Sequence, residues 1–474
     1  MTIAAKNPVL IIEFDPIAQE VFMSFFKALM LGVVLSQSFT TQAVEPIISE
    51  DYLFTHVNLI SMTSDKVQLN KDVLIRNGKI LIIEDAGKIK KGNANIIHAS
   101  GQYLMPGLTE MHAHVLGEAS DKHTRDHYLY LYLINGVTTI RGMLGDKSHL
   151  QLREDLKHNK IAGPFLLTSG PSLNGNSVTS MSAAQQKVKM QYDAGYDFLK
   201  LHPGLSKEHF TALADAAHQL GITFAGHISD EVGIDYALAK GQSSIDHMDG
   251  FFKPLIDDKH QAIKEQAASF FGINFTPYID ERKIDALAKK IANSNTWVVP
   301  TETLMDNLAN EISAEDLAQR PEMHFISQKT INNWIKAKQS FQIQQDVKSK
   351  FLKIRAQLLT AIQKHGGKIL LGSDAPQIFN VPGFSIHREL ELMVKNGLTP
   401  YQALKAGTLN PAIYFGIEEN FGTVEIGKQA ELVLLSKNPL IDIRNSTSIQ
   451  GVMHNGLWID KQSIHHYLEN YDKP

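Results

Sequence analysis

Short apolar segments alternate with helical stretches through the middle of the chain. The β-rich segments begin near residues 101, 136, 164, 197, 222, 243, 297 and 368, and helical stretches separate them. Alternating β and α elements favour a parallel sheet covered by helices. The pattern predicts an α/β fold in which residues 105–421 form a (β/α)8 TIM barrel, since such barrels run from ~200 to above 400 residues. The largest insertion, residues 280–364, is predicted to be mostly helical and to shape or cover a pocket.

Both ends of the chain carry short strands that are separated by turn signals. Residues 52–104 contain Asn77-Gly78 between two apolar runs, and a second Asn-Gly pair lies at residues 455–456. Asn-Gly between apolar runs is a signal for a tight hairpin. The simplest account is one small β-sandwich domain, built from residues 44–104 and residues 422–474.

The amino-terminal residues have the three-part pattern of a secretory signal. Residues 23–27 are short and basic, residues 28–35 are an unbroken apolar run, and residues 36–43 are small and polar. An apolar run this short does not form a stable membrane span, which needs ~20 residues. We expect cleavage after Ala43 and export to the periplasm or the medium, so that residues 1–43 form a signal region.

An ordinary buried helix over residues 23–37 is the alternative, and the protein would then be cytoplasmic. Residues 1–22 carry several acids and a proline, which fit the start of a signal poorly. Met23 therefore competes with Met1 as the true start.

The composition removes several classes of function. A 43% hydrophobic and 20% charged composition excludes a disordered chain. The balance of 46 Lys and Arg against 50 Asp and Glu gives a net charge of −4, which provides no basic footprint for nucleic acid. The chain has no Cys and 20 His, so a transition metal must bind His, carboxylate or a modified Lys.

Side chains of metal-ligand type gather at the predicted strand ends, where TIM barrels place their catalytic residues. Each has a structural reading by itself, and their joint placement favours a metal site. They are His112 and His114 at the first strand, Lys200 at the fourth, His227 at the fifth, His247 at the sixth and Asp374 at the eighth.

The two-residue alternation of a strand sharpens this prediction. It places His112 and His114 on one face, and it turns Lys200 and His202 inward together. A buried ammonium without a partner loses its proton, and the neutral amine can add carbon dioxide to form a carbamate that bridges two metal ions. Lys200 is therefore the residue that separates a one-metal site from a two-metal site.

The motifs resemble those of the amidohydrolase superfamily, and more narrowly its imidazolonepropionase-like and prolidase-type members. The resemblance extends from about residue 52 to the end of the chain and is specific for the superfamily rather than for a substrate. It rests on residues 105–114, 197–202, 226–227, 245–247 and 372–374.

The resemblance implies two divalent metal ions, for which zinc suits the ligands best and manganese, cobalt or iron are alternatives. It implies that His112, His114 and Asp374 hold the more buried ion. His227 and His247 would hold the outer ion, and carboxylated Lys200 would bridge the two. A metal-activated bridging hydroxide would then hydrolyse a C–N bond of a small substrate or dipeptide, with Asp374 as the proton carrier.

Two positions depart from the resemblance, and three others are candidates for substrate contact. Glu110 stands where relatives often have Asp, and Gly142 follows Arg141 where they commonly have Asp. His202 could contact substrate or be structural. Arg141 could bind a substrate carboxylate or brace the barrel mouth, and His387 could join the pocket rim.

Two other functions stay open at this point. One is a mononuclear cyclic amide hydrolase or deaminase, in which Lys200 is structural. The other is a catalytically inactive metal-dependent binding protein, against which the presence of Asp374 argues. The sequence leaves the substrate open, and it is compatible with a monomer or a homo-oligomer.

Overall fold

The structure, a computed structural model, describes residues 50–471. The strands are β1 (Tyr52–Leu59), β2 (Gln68–Arg76), β3 (Lys79–Asp85), β4 (Asn95–His98), β5 (Tyr103–Pro106), β6 (Leu108–Ala113), β7 (Val137–Gly142), β8 (Phe165–Thr168), β9 (Leu199–Leu201), β10 (Phe224–Gly226), β11 (Ser244–Asp246), β12 (Trp297–Val299), β13 (Lys368–Ile369), β14 (Leu432–Leu435), β15 (Ile449–His454) and β16 (Leu457–Asp460).

Helices follow most strands of the central region. They are α1 (Lys122–Ile134), α2 (His149–Lys157), α3 (Met181–Ala194), α4 (Lys207–Leu220), α5 (Gly233–Ala239), α6 (Gln261–Lys264), α7 (Ile284–Ala292), α8 (Glu302–Ala309), α9 (Ala314–Leu317), α10 (Gln328–Ser340), α11 (Gln345–Lys364), α12 (Phe384–Lys395), α13 (Pro400–Ala406), α14 (Leu409–Phe415) and α15 (Lys461–Asn470).

Strands from both ends of the chain meet in one eight-stranded sheet, in the order β16-β15-β14-β5-β1-β2-β3 with β4 paired to β1. The two ends meet through the antiparallel pairing of β14 with β5, in which Leu432 faces Pro106, and through an antiparallel bridge between Lys79 and Gln429. Strands from both ends of the chain therefore share one sheet. The two-layer sandwich arrangement stays a prediction.

Both Asn-Gly pairs form the predicted hairpin turns. Asn77 and Gly78 connect β2 to β3 with φ values of 51° and 70°, and Asn455 and Gly456 connect β15 to β16 with φ values of 47° and 80°. Two consecutive positive φ values match the right-handed twist of the paired strands. Asparagine and glycine tolerate this conformation better than other residues, which explains the sequence signal.

The central strands form two parallel sheets, one of three strands in the order β6-β7-β8 and one of five in the order β13-β12-β11-β10-β9. Single parallel bridges connect the sheets, from Ala113 to Ala375 and from Ser169 to Phe198. The predicted mixed α/β fold is confirmed. Within residues 50–471 the eight strands do not form one continuous sheet, so closure into a barrel stays a prediction.

The main hydrophobic core lies between these sheets and the surrounding helices. Ala113, Leu199 and Leu201 belong to it, together with apolar residues of the flanking helices. Residues that alternate with them, such as His112 and Lys200, turn to the other side and are buried as well. A fully buried parallel strand thus keeps its polar side chains on one face, and that face forms the site described below.

The insertion before the last central strand is helical, as predicted. It contributes α7 to α11 around the short strand β12. Its longest helix, α11, is 20 residues long and buries Phe351, Arg355 and Leu358. The insertion therefore packs into the interior of the fold and does more than cover its surface.

The predicted signal region, residues 1–43, lies outside the described residues. None of the helices within residues 50–471 is long and apolar enough to cross a membrane. The predicted domain boundaries stay predictions.

The carboxyl-terminal helix α15 docks on α1 through a buried histidine. The ring of His127 stacks on Tyr471 with centroids 3.6 Å apart, and its Nδ1 lies 2.6 Å from Tyr467 Oη. Its Nε2 lies 3.2 Å from the carbonyl oxygen of Phe325. Burial lowers the pKa of His127 to about 4, so the folded protein holds this ring neutral.

We expect this contact to make the protein less stable in acid. The pKa of an unfolded histidine is about 6.5, so between pH 6.5 and pH 4 the unfolded chain binds the extra proton. Stability is therefore lost as the pH falls through this window, by on the order of 3 kcal/mol for a shift of this size, and no further below it. Denaturant unfolding at several pH values should show a weaker pH dependence for His127→Gln. Parallel curves for the two proteins would contradict the expectation.

Candidate metal centre

The end of β6 presents two histidines to the same space. His112 and His114 are separated by one residue, and their rings stack with centroids 5.5 Å apart and planes inclined by 17°. His112 is 1% exposed, whereas the side chain of His114 is 19% exposed. The alternation of the strand thus produces the paired imidazoles that the sequence predicts.

Asp374 comes to these histidines from the loop after β13. Its Oδ1 lies 3.0 Å from His114 Nε2 and 3.6 Å from His112 Nε2. One ligand atom from each of the three residues lies within 4.8 Å of the others, which is compatible with a shared metal ion. The backbone of Asp374 has φ 63° and donates its N–H to the carbonyl oxygen of His112 at 3.0 Å.

His247 and His227 extend the cluster. The ring of His247 lies 4.5 Å from that of His112 and 4.8 Å from that of His227. The Nδ1 of His247 lies 3.8 Å from Asp374 Oδ2. His247 also has a left-handed backbone, with φ 64°. Unfavourable backbone conformations of this kind concentrate at functional sites.

Lys200 lies on β9 with no exposed surface. Its Nζ has no hydrogen-bond partner among the described residues, and the carboxylate oxygen Oδ2 of Asp246 lies 3.7 Å away. Burial lowers the pKa of Lys200 to about 8, although the charge of Asp246 opposes the shift. A substantial fraction of this amine is therefore neutral near physiological pH, which is the form that reacts with carbon dioxide.

The buried imidazoles are held in the neutral form. Burial, followed by the positive charge of Lys200, lowers the pKa of His227 to about 3 and also lowers the pKa of His112 and His202. Burial and neighbouring His112 likewise lower the pKa of His247. Neutral imidazole is the form that binds metal ions.

Several buried polar atoms of this cluster lack hydrogen-bond partners, which is unusual in protein interiors. Within residues 50–471, they include both ring nitrogens of His112, Lys200 Nζ, Asp246 Oδ2 and Asp374 Oδ1. Imidazole nitrogens and carboxylate oxygens are preferred ligands of zinc and related divalent ions. The donor set therefore fits such ions.

Three supporting residues are missing from the sequence prediction. Asp246 Oδ2 approaches His112 Nδ1 at 3.1 Å, Thr301 Oγ1 lies 2.8 Å from His247 Nδ1, and Asp249 Oδ2 lies 3.1 Å from His227 Nδ1. The contacts of Thr301 and Asp249 are hydrogen bonds, which fix the orientation of each ring and leave Nε2 of His247 and His227 as the ligand atoms, whereas Asp246 lies at ion-pair distance from His112. Asp246 could have been found from the sequence, since it lies beside His247 at a strand end.

Glu110 connects β6 to the loop that carries Asp374. Its Oε1 accepts hydrogen bonds from the backbone N–H groups of His112 at 2.9 Å and Ser373 at 2.8 Å. Its Oε2 accepts from Ser373 Oγ at 2.5 Å. Burial raises the pKa of Glu110 to about 7. Although Glu110 stands where relatives often have Asp, its side chain holds both β6 and the loop that carries Asp374 in place.

His202 lies next to the histidine cluster. Its ring centroid is 4.9 Å from that of His227, and its Nδ1 lies 2.7 Å from Ser172 Oγ. The side chain is half-buried, so it is more accessible than His112 or His247. This position is compatible with contact to a substrate.

Arg141 is buried among protein partners. Its guanidinium donates to the carbonyl oxygen of Met111 at 2.6 Å, to Tyr414 Oη and Ser244 Oγ at 3.0 Å, and to Asp246 Oδ1 at 3.2 Å. The geometry favours the bracing alternative over the binding of a substrate carboxylate. It also makes Arg141 the partner that holds Asp246 beside His112.

The structure does not bring His387 to the cluster. Its Nδ1 lies 2.9 Å from Ser446 Oγ, and its Nε2 lies 3.1 Å from the carbonyl oxygen of Asn135. Although His387 follows the last central strand closely in sequence, the turn of α12 directs its ring toward the end of α1. The prediction that it joins the pocket rim has no support in this geometry.

A cavity of about 390 Å³ borders His227 and Asp249. Phe270 and Phe271 line it, and the ring of Phe271 lies 4.9 Å from that of His247. Cavities of this size bind small molecules in many proteins. The buried histidine cluster thus opens to a space that suits a small substrate.

The parallel strands bury polar residues at their carboxyl ends, and the imidazole cluster there fits metal ions. This arrangement is typical of metal-dependent α/β enzymes. Residues 103–459 match the model of the Amidohydrolase family, and the chain is a member of that family. The resemblance found in the sequence is thereby confirmed at the level of the family.

Individual relatives are more distant. Adenine deaminase 3 of Rhizobium meliloti (strain 1021) is 20% identical over 395 residues, which cover 80% of this chain and 53% of that protein. The chain spans about half or less of the length of the first curated relatives it matches, between 36% and 54%.

Two solved structures show the same fold. A bottromycin amidohydrolase has a TM-score of 0.68 at 20% identity, covering 88% of each chain. A Xaa-Pro dipeptidase with bound methionine in its active site has a TM-score of 0.62 at 19% identity, covering 87% of this chain and 100% of that chain.

Proposed function

We propose that this protein hydrolyses an amide-type C–N bond of a small substrate, such as a dipeptide. The observation that carries the proposal is the environment of Lys200. Its amine is fully buried, has no hydrogen-bond partner in the described part of the chain, and lies 3.7 Å from Asp246 beside a group of neutral imidazoles. A buried ammonium without a hydrogen bond is costly, and conversion to a carbamate would replace it with an anion that metal ions can bind.

We also propose that the two parallel sheets form the wall of one (β/α)8 barrel. The bridges from Ala113 to Ala375 and from Ser169 to Phe198 support this, because they connect both edges of the three-stranded sheet to the elements of the five-stranded sheet. The hydrogen bond from the N–H of Met111 to the carbonyl oxygen of Leu371 supports it further, at 2.9 Å.

The cluster would bind two divalent metal ions, and its imidazole and carboxylate ligands favour zinc. His112, His114 and Asp374 would hold one, His227 and His247 the other, and the carbamate of Lys200 would contact both. Such ions supply Lewis-acid chemistry, which lowers the pKa of water and polarises a carbonyl group.

The protein's own contribution is proton transfer and placement. Asp374 is a buried carboxylate that can accept a proton from water and give it to the leaving amine. The cavity beside His227 would hold the substrate, with Phe271 as an apolar wall. Because Arg141 is engaged by protein partners, a substrate carboxylate would need another partner.

A mononuclear cyclic amide hydrolase or deaminase is the second candidate. Among the described residues, only His112, His114 and Asp374 form a compact group of possible metal ligands. The similarity to an adenine deaminase over 80% of the chain favours the deaminase reaction. In this alternative Lys200 is structural and a single ion is bound.

Metal analysis together with a substrate screen separates the two candidates. Protein prepared with zinc and bicarbonate would be assayed for metal content and tested on dipeptides, including those with a carboxyl-terminal proline, on cyclic amides and on adenine. Two ions per chain with dipeptide hydrolysis supports the leading proposal. One ion with deamination or ring opening supports the alternative, and inactivity of metal-loaded protein on all substrates contradicts both.

We expect His202→Ala to weaken substrate turnover without loss of metal. If His202 donates a hydrogen bond to the reacting carbonyl group, its removal should lower kcat/KM by about 10²-fold or more. Metal content and Tm should stay close to those of the wild type. A normal kcat/KM, or a loss of activity that follows a loss of metal, would show that His202 has no such contact.

We propose in addition that the protein is exported, on the strength of the signal-like pattern in residues 23–43. Amino-terminal sequencing of the natively produced protein should find a start near residue 44. A start at Met1 would contradict export.

A further inference from the structure

A buried arginine from the helical insertion lies behind the candidate metal centre. Arg355 belongs to α11 and has no exposed surface, although its guanidinium is charged. Buried guanidinium groups are rare in protein interiors unless they are paired. Its partners therefore indicate why the chain keeps a charge at this position.

Arg355 donates to the backbone of two strand ends. One terminal nitrogen donates to the carbonyl oxygen of His247 at 2.7 Å, and the other donates to the carbonyl oxygen of Pro300 at 2.6 Å. The residue after Pro300 is Thr301, whose Oγ1 lies 2.8 Å from His247 Nδ1. The guanidinium of Arg355 thus binds the backbone of His247 and the backbone of Pro300, which directly precedes Thr301.

His247, and Thr301 directly after Pro300, both have strained backbones. His247 has φ 64° and Thr301 has φ 51°, values that are rare for residues other than glycine, and especially for a β-branched one. Such conformations persist only when the surrounding structure imposes them. The hydrogen bonds from Arg355 are a direct means of imposing them.

Two glutamates complete the support. Glu302 Oε1 accepts from Arg355 Nε at 3.1 Å and from a terminal nitrogen at 2.7 Å. Glu389 accepts from the backbone N–H groups of Glu302 at 2.9 Å and Thr303 at 2.7 Å, at the start of α8. Thr303 Oγ1 in turn donates to the carbonyl oxygen of Ser373 at 3.2 Å, next to Asp374.

We infer that Arg355 is a positioning residue that holds the imidazole of His247 in its metal-binding orientation, together with Glu302. This inference rests on the proposed function, because it assigns a task to a side chain of the same centre. It explains why the insertion is packed into the fold: α11 supplies the donor that the ends of β11 and β12 need. Lysine could not replace this arginine, since one ammonium cannot reproduce the planar fork that serves three acceptors.

The test compares three variants in the full-length protein. Arg355→Lys keeps the charge beside Glu302 but loses the fork. If this variant does not fold, the double variant Arg355→Met with Glu302→Met removes the buried charge pair as a unit, which proteins often tolerate. Lys353→Met is the control on the same helix, because Lys353 is exposed and, in the part of the chain that the structure describes, forms an ion pair only with Glu281.

Two readouts are measured for each variant. The first is the ring-nitrogen NMR signals of His247 in metal-free protein, assigned by comparison with His247→Gln. The second is the affinity for Co²⁺, obtained by titration of the visible absorption bands in competition with a chelator. In Arg355→Lys we expect the chemical shifts of the His247 ring nitrogens to change. Of the two Co²⁺ ions expected per chain, the one with the lower affinity should bind about 10- to 100-fold more weakly than in the wild type. The control should change neither quantity.

A folded arginine variant with unchanged His247 signals would overturn the inference. Because the NMR signals are measured in metal-free protein, a failure of this inference can be distinguished from a failure of the proposed function. A wild-type protein that binds no Co²⁺ would overturn the proposed metal centre, whereas the His247 signals would still decide whether Arg355 positions this ring.

Discussion

Replacing Asp374 with asparagine is expected to reduce turnover by about 10²- to 10⁴-fold, the range typical for loss of a general acid–base group. Asparagine has nearly the same shape, and it tolerates the left-handed backbone that Asp374 adopts with φ 63°. The backbone hydrogen bond to His112 would remain. The variant therefore loses the proton-accepting oxygen and the negative charge, while the fold is preserved.

Metal content must be measured alongside the rate. Asp374 Oδ1 lies 3.0 Å from His114 Nε2, so the carboxylate is also a candidate ligand. A large loss of turnover in protein that still holds its metal reports on proton transfer. Asp193→Asn is the matched control, because Asp193 is exposed and its one ion pair within residues 50–471 is with Lys189 on the same helix. An Asp374→Asn enzyme with more than a tenth of the wild-type turnover would contradict the assigned role.

Replacing Lys200 with alanine is expected to remove one metal ion per chain and nearly all activity. The substitution removes the Lys200 amine and leaves a cavity next to Gly226. The lysine stem packs closely on this glycine, since a Cβ atom placed on Gly226 would lie 3.0 Å from Lys200 Cδ. Short carboxylates such as acetate or propionate should enter that cavity and replace the carbamate group. We therefore expect them to restore part of the metal content and of the activity.

Lys200→Met provides the matched control. Methionine fills the space of the lysine stem, so added carboxylates should not restore activity in this variant. When both proteins are metal-free and prepared without bicarbonate, its Tm should equal or exceed that of the wild type, since a buried amine is replaced by an apolar side chain. A fully active Lys200→Ala protein with a single bound metal ion would favour the mononuclear alternative instead.

Local signals explain why much of the fold could be predicted from the sequence. The turns at Asn77-Gly78 and Asn455-Gly456 depend on two adjacent residues, and the pairing of His112 with His114 depends on strand alternation. Each of these features is encoded within a few positions. The antiparallel pairing of β14 with β5 could be inferred because both ends of the chain show the same pattern of short strands.

Contacts between distant parts of the chain could not be predicted in the same way. Arg141 has the residue type of a carboxylate-binding group, but its partners Ser244 and Tyr414 lie over 100 positions away. The support of His247 by Arg355 is likewise a contact between positions that are 108 residues apart. A buried arginine and an exposed one look alike in a single sequence, and packing decides between them.

The length of β13 is a further example. The sequence predicts a strand over residues 368–374, whereas the structure contains β13 only over Lys368–Ile369. Beyond this strand, the backbone N–H groups of Ser373 and Asp374 donate to Glu110 Oε1 and to the carbonyl oxygen of His112. The departure from a regular strand therefore places the carboxylate of Asp374 beside the histidines.

Anomalous diffraction at the zinc edge, from crystals grown with zinc and bicarbonate, tests the binuclear centre most directly. We expect two anomalous peaks, one beside His112, His114 and Asp374 and one beside His227 and His247, with continuous density from Lys200 Nζ to a carboxylate group between them. A single peak together with an unmodified Lys200 side chain would contradict this expectation.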